Sequence, residues 1–144
     1  MTYTQVSDAL RAHLEALVLS PVLPIVWENT AFNPETQGGE AGWLLPELHL
    51  LRGEQVSFGD PTNGNTFRDF GLWIVNVVTP RAHRIGRSPS LAEAVRLFYK
   101  AESISGVHFT NRYIGQGRLP ETQSRWYATP VLMEWWADRI ETPA

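Results

Sequence analysis

The chain has no cysteine, which excludes disulfides, thiolate metal sites and thiol nucleophiles and fits assembly in a reducing cytoplasm. It has no excess of positive charge either. Its 12 basic and 15 acidic side chains leave a formal charge of −3, so phosphate neutralisation is a poor main source of binding energy and nucleic acid is disfavoured as a tightly held ligand. No stretch approaches the ~20 apolar residues of a membrane helix, and the N-terminus lacks the basic start and apolar run of a signal peptide. The reading is of a soluble protein. Internal repeats and low-complexity tracts are missing, which removes solenoids and linkers. No serine sits in a Gly-x-Ser-x-Gly elbow. Gly115-Gln116-Gly117 lacks the third glycine and the following helix of a phosphate-cradling loop, so it reads as a turn.

What is present organises itself around one segment. From Asn65 to Pro80 the residues Asn-Thr-Phe-Arg-Asp-Phe-Gly-Leu-Trp-Ile-Val-Asn-Val-Val-Thr-Pro form a long central strand, entered from a polar turn and stopped by proline. Alternation puts Gly71, Trp73, Val75 and Val77 on one face and Phe70, Leu72, Ile74 and Val78 on the other. A strand apolar on both faces needs cover on both, from helices of its own chain or from a neighbouring subunit. At 144 residues, one domain spanning 1–144 buries about 70% of the surface of its unfolded chain, enough for a core without staples.

The remaining elements follow from periodicity and punctuation. A first helix, capped by Thr4 or Ser7, runs to about Ser20 with Val6, Leu10, Leu14, Leu17 and Val18 on its apolar side, and Pro21 and Pro24 close it. Ile25 to Glu28 reads as a short strand, Thr30 to Gly42 as a polar loop, and Trp43 to Arg52 as a strand whose Pro46 belongs at an edge or bulge. Gly59 to Asn65 is a turn into the central strand. After a loop from Pro80 to Pro89, Ser90-Leu91-Ala92-Glu93 is a capping box opening a helix to about Glu102. Gly106 to Gly115 and Ser124 to Trp136 are the last strands, linked through Gln116 to Gln123. The order α-β-β-β-α-β-β predicts an α+β fold, a mixed and mainly antiparallel sheet of about five strands flanked by two helices.

Candidate functional residues fall into three groups. Glu47 and His49 share a strand face, and His108 could join them across the sheet as a His2Glu metal site; the plainer account is three polar residues on the wetter side of a sheet. Arg81, His83, Arg84 and Arg87 form a basic loop that suits DNA phosphates or an acidic partner, or simply stays solvated. Six Trp and four Tyr are many for this length, and large rings with arginine are the usual anchors of protein interfaces. Adjacent Trp135 and Trp136 cannot both face inward on a strand with one solvated side, so one of them meets a helix, another subunit or water.

Across almost its whole length the chain resembles the tail terminator (tail-completion) proteins of long-tailed bacteriophages and prophages. The resemblance is carried by the first helix, by Pro24-Ile25-Val26-Trp27-Glu28-Asn29 with Phe32 and Pro34, and by Trp43-Leu44 leading to Leu48-His49-Leu50-Leu51 and Gly53-Glu54. It continues through Gly71-Leu72-Trp73-Ile74-Val75-Asn76-Val77 with Pro80, Ala92-Glu93-Ala94, and Trp126, Pro130 and Trp135-Trp136. It implies a structural virion protein rather than an enzyme, without cofactor, assembled in the host cytoplasm. Such a protein forms a hexameric ring with copies of itself on the tail tube protein, stops tube growth, and offers a surface to the head–tail connector or neck protein. DNA is then only passing cargo, and six copies at −3 each carry −18 around the channel. Two other readings stand beside it: another neck or head–tail joining component, and a small metal-dependent hydrolase built on Glu47, His49 and His108.

Overall fold

A computed structural model describes residues 1–28, 31–32, 41–57, 64–80, 87–100, 103–117 and 126–141. The long central strand is present as β2 (Asn65–Pro80). It pairs antiparallel with β1 (Trp43–Ser57) on one side and β5 (Trp126–Glu141) on the other. Beyond β5 lie β4 (Val107–Ile114) and the two-residue β3 (Ser103–Ile104), giving the sheet order β1-β2-β5-β4-β3. Helix α1 (Tyr3–Glu15) precedes β1 and helix α2 (Arg87–Phe98) follows β2, so the described residues run α-β-β-α-β-β-β.

This α+β architecture matches the expectation, and the strand count is redistributed. Ile25 makes one parallel bridge to Leu44 instead of opening a strand: Leu44 N donates to Pro24 O at 2.9 Å and Val26 N to Leu44 O at 2.8 Å. Prolines at 21 and 24 remove donors that a longer ladder would need. The extra strand, β3, arises because Ser105 (φ 49°) and Gly106 (φ 90°) both take left-handed backbone, the pattern of a tight two-residue hairpin turn. In β4 a bulge at Thr110 shifts the pairing between Phe109 and Asn111, so Asn111 and Tyr113 no longer share a face with Val107 and Phe109. Both β1 and β5 run five residues past their expected ends, to Ser57 and Glu141.

Helix boundaries also move, for local reasons. Thr2 caps α1 through a reciprocal box, its Oγ1 accepting from Gln5 N at 3.2 Å while Gln5 Oε1 accepts from Thr2 N at 2.8 Å, which displaces Thr4 and Ser7 as caps. The helix stops at Glu15, so Val18 is 84% exposed rather than part of the apolar stripe. Helix α2 starts at Arg87, which puts Ser90 inside it instead of at its cap, and Pro89 falls in the first turn, where a missing N–H leaves no bond unmade.

Both helices cover the same sheet face. Val6, Leu10 and Leu14 of α1 and Leu91, Ala92 and Val95 of α2 pack on Trp73, Val75, Val77, Val131, Met133 and Trp135, all buried. Each buried Val, Leu or Met side chain among them contributes about 1.5–3 kcal/mol. Trp135 lies across Gly71: a Cβ there would stand 2.3 Å from its Cζ2 and 2.2 Å from His49 O. A polar clasp ties the end of α2 to α1 and to β4. Tyr99 Oη donates to Leu10 O at 3.0 Å, His13 Nε2 donates to Phe98 O at 2.8 Å, and Arg112 Nη1 donates to Tyr99 O at 2.6 Å. Burial pushes the Tyr99 hydroxyl pKa up. The indole N–H of Trp73 beside it acts the other way, without hydrogen-bond geometry among the described residues.

Candidate interaction surfaces

The opposite face of the sheet has no described helix over it, and it divides into three zones. At the end where β1 begins, Trp43 packs tilted on Phe32 and edge to face on Trp126, with centroids 5.4 and 4.6 Å apart, and Val78 and Ala128 on the same face are buried. In the middle, Leu45, Leu72, Ile74 and Leu132 are half-buried and Tyr113 is exposed; none belongs to the core cluster. Even positions of β2 and β5 point this way, and Leu72, Ile74 and Leu132 put large apolar groups where a solvated face would carry polar ones. Carboxylates flank the patch: Glu47, 3.4 Å from His49 Nε2, and exposed Glu134.

The third zone is an arm. Past the helices, β1, β2 and β5 continue together as residues 50–57, 65–70 and 138–141, with side chains 49–56 of β1 all exposed. With little core of its own, the arm is held by charges and rings on both faces. On the outer face the Arg68 guanidinium binds both oxygens of Asp138, at 2.8 and 3.1 Å, and lies 3.8 Å over the Trp136 ring. His108 stacks on that ring at 4.1 Å, and Arg52 lies 4.5 Å over Phe70. On the other face Arg139 donates to Asp69 at 2.9 Å and covers Phe67 at 4.9 Å. The bidentate bond to Arg68 holds the Asp138 carboxyl below the usual carboxylate range, and the same bond raises Arg68.

A cleft of about 330 Å³ lies between α1, the 27–28 segment and the inner side of β1, with Trp27, Leu48 and Trp73 among its walls. The Arg11 guanidinium covers the Trp27 ring at 4.3 Å, and Tyr3 Oη donates to Leu48 O at 3.2 Å at its rim.

The candidate residues separate in this geometry. Trp135 is 2% exposed beneath the helices, whereas Trp136 is on the outer face inside the Arg68 and His108 stack. Arg81, His83 and Arg84 lie outside the described residues, as do most of the Thr30–Gly42 loop, the Gly59–Asn63 turn and the end of the Gln116–Gln123 link; Arg87 opens α2. Glu47 and His49 are neighbours on β1, but His108 is three strands away, roughly 14 Å at ordinary strand spacing. The proposed His2Glu site therefore does not assemble, and the described residues hold no cluster of three potential ligands. The arm was not anticipated. Its signal was available in Phe67-Arg68-Asp69-Phe70 facing Trp136-Ala137-Asp138-Arg139, where rings and opposite charges recur at strand period.

Comparison with known proteins fits this picture. One solved structure, of a protein whose name states no function, superposes with a TM-score of 0.58 at 19% identity, covering 95% of this chain and 98% of that one. That likeness concerns the fold alone. No protein with a curated description matches. The family model described as phage tail terminator protein matches residues 5–135, from the first turn of α1 to the Trp135 that closes the core. The chain belongs to the phage tail terminator family, a family of structural proteins of the virion tail.

Proposed function

We propose that this protein caps the end of the tail tube as a six-membered ring, stops tube growth, and turns its other side to the head–tail connector or neck. The observation that carries the reading is the two-sided sheet. One face is closed by α1 and α2, and the other keeps Leu45, Leu72, Ile74, Leu132 and Tyr113 uncovered by any described element. Apolar surface of that kind is stabilised by association. The same sheet extends a stiffened arm away from the body, which gives each copy reach toward a neighbour. Six copies at −3 each carry −18, and acidic groups facing the channel let DNA pass without adhering.

The test is reconstitution. Purified protein is mixed with tail tube subunits and the products are imaged by electron microscopy. Tubes of limited length bearing a ring of this protein at one end are expected. Tubes of unregulated length with bare ends refute the reading.

A further inference from the structure

The arm and the body present two different apolar patches on one sheet that no described element covers. On the arm's β1 margin, Leu50, Leu51 and Val56 are 50%, 65% and 41% exposed. Leu51 and Val56 are the surplus residues of two bulges, each leaving two β1 residues against one on β2. On the body, the patch is Leu72, Ile74 and Leu132. A single copy cannot bring the two together, because β2 is paired to β5 through every residue from Asn65 to Pro80 and the arm cannot fold back over the face.

Resting on the ring reading above, we infer that the bulged β1 margin of one copy's arm docks by its side chains on the central outer face of the next copy. Three observations converge on a second copy as the occupant. A face packed on its own twin closes after two subunits, while a ring needs two unlike patches, each copy giving one and receiving the other. Addition of a strand to the β1 edge is blocked along its first half: the 24–26 segment takes both backbone groups of Leu44, Pro46 has no N–H, and Tyr3 occupies Leu48 O. Along the second half the bulges break the ladder register, which leaves side-chain packing. Charges also match: exposed Arg52 stands beside Leu51 on the donating margin, and exposed Glu134 stands beside Leu132 on the receiving face.

The absence of native cysteine makes thiol cross-linking a clean test in the full chain. Leu51→Cys and Leu132→Cys are combined in one chain, assembled on tube ends and treated with a short bis-maleimide. A covalent ladder beyond dimers is expected from the double variant, dimers only from a mixture of the two single variants, and monomers from either alone. Dimers from Leu132→Cys alone mean face-to-face packing and overturn the inference. Rings in the micrographs without a ladder overturn it while leaving the ring reading intact; neither rings nor ladder removes both. Independently, Arg52→Glu and Glu134→Arg each weaken subunit association about tenfold, and the double swap restores it to within about threefold. Additive losses in the double swap also overturn the contact.

Discussion

Replacing Gly71 by alanine tests how the arm is joined to the body. A Cβ at this position stands 2.2 Å from His49 O, a backbone atom of the β1 ladder, and 2.3 and 2.5 Å from Cζ2 and Cε2 of Trp135. The carbonyl cannot rotate away, and the indole, 2% exposed, is packed under the helices. Relief therefore requires β1 and Trp135 to move together, an overpacking cost of about 1–3 kcal/mol before the ladder is disturbed. The narrower unfolded ensemble of alanine offsets about 0.4–1 kcal/mol of it. A net loss of about 1.3 kcal/mol in a chain of this size lowers Tm by roughly 5 °C. Gly53→Ala is the control. Its Cβ presses on one side-chain atom, Asp69 Oδ1 at 2.7 Å, with Arg139 Nη2 and Arg68 O at ordinary contact distances of 3.6 and 3.9 Å, so only the buried, Arg139-bound carboxylate has to give and no backbone does, and its Tm is expected to fall less than that of Gly71→Ala. Thermal melting by circular dichroism gives the Tm, and the near-ultraviolet signal reports the displaced indole. Equal melting of the two variants, or a larger loss at Gly53, refutes the close-approach argument.

Acid loosens the arm before the body. The Asp138 carboxyl is held low by its bond to Arg68, so its contribution is complete above the unfolded value of about 3.9 and is lost as pH falls through the lower folded value. Hydrogen exchange at 66–70 is expected to quicken below about pH 4, and Asp138→Asn to show the quickened rate already at pH 7. Tyr99→Phe removes the buried bond to Leu10 O and costs about 0.5–1.5 kcal/mol by denaturant titration. Because burial raises the Tyr99 pKa, the wild type loses stability as pH rises above about 10, where the unfolded phenol ionises, and the variant shows a smaller loss. Leu72→Asp, on the half-buried outer face opposite Glu134, gives up part of a buried leucine and lowers Tm by roughly 3–6 °C, leaving a folded chain that no longer forms rings seen by microscopy. Rings of the variant argue against this face as an interface.

Most of the sheet was legible because its signals are local and of period two. The facing of Trp73, Val75 and Val77 against Leu72, Ile74 and Val78, the stop at Pro80 and the edge position of Pro46 all follow from alternation and from proline's missing donor. The illegible parts depend on counting across strands. Bulges at Leu51, Val56 and Thr110 exchange faces without any residue that announces them, and only the partner's register reveals the shift. The helix caps failed for a different reason. Several Ser and Thr residues compete near each start, and the winner is fixed by where the chain enters the fold, as Thr2 does with Met1 N bonded to Asp138 O at 2.5 Å. The metal candidates failed on sheet order: alternation placed Glu47, His49 and His108 on one face, and nothing local tells that β2 and β5 intervene.

The Trp135–Trp136 pair states the design of the molecule in two residues. Successive strand positions point to opposite faces, so one indole must enter the helix-covered core and the other must remain outside. Inside, Trp135 fills the space above Gly71 and joins the body where the three strands leave it. Outside, Trp136 is flanked by Arg68 and His108, a stack in which the cation shields the ring and the ring orders the cation that binds Asp138. Core packing thus fixes the direction of the arm, and the outer stack stiffens it with little hydrophobic interior. An element built so, carrying exposed Leu51 and Val56 on its margin, has the pre-organisation that the proposed contact between copies calls for, because a stiff surface has little further conformational freedom to lose.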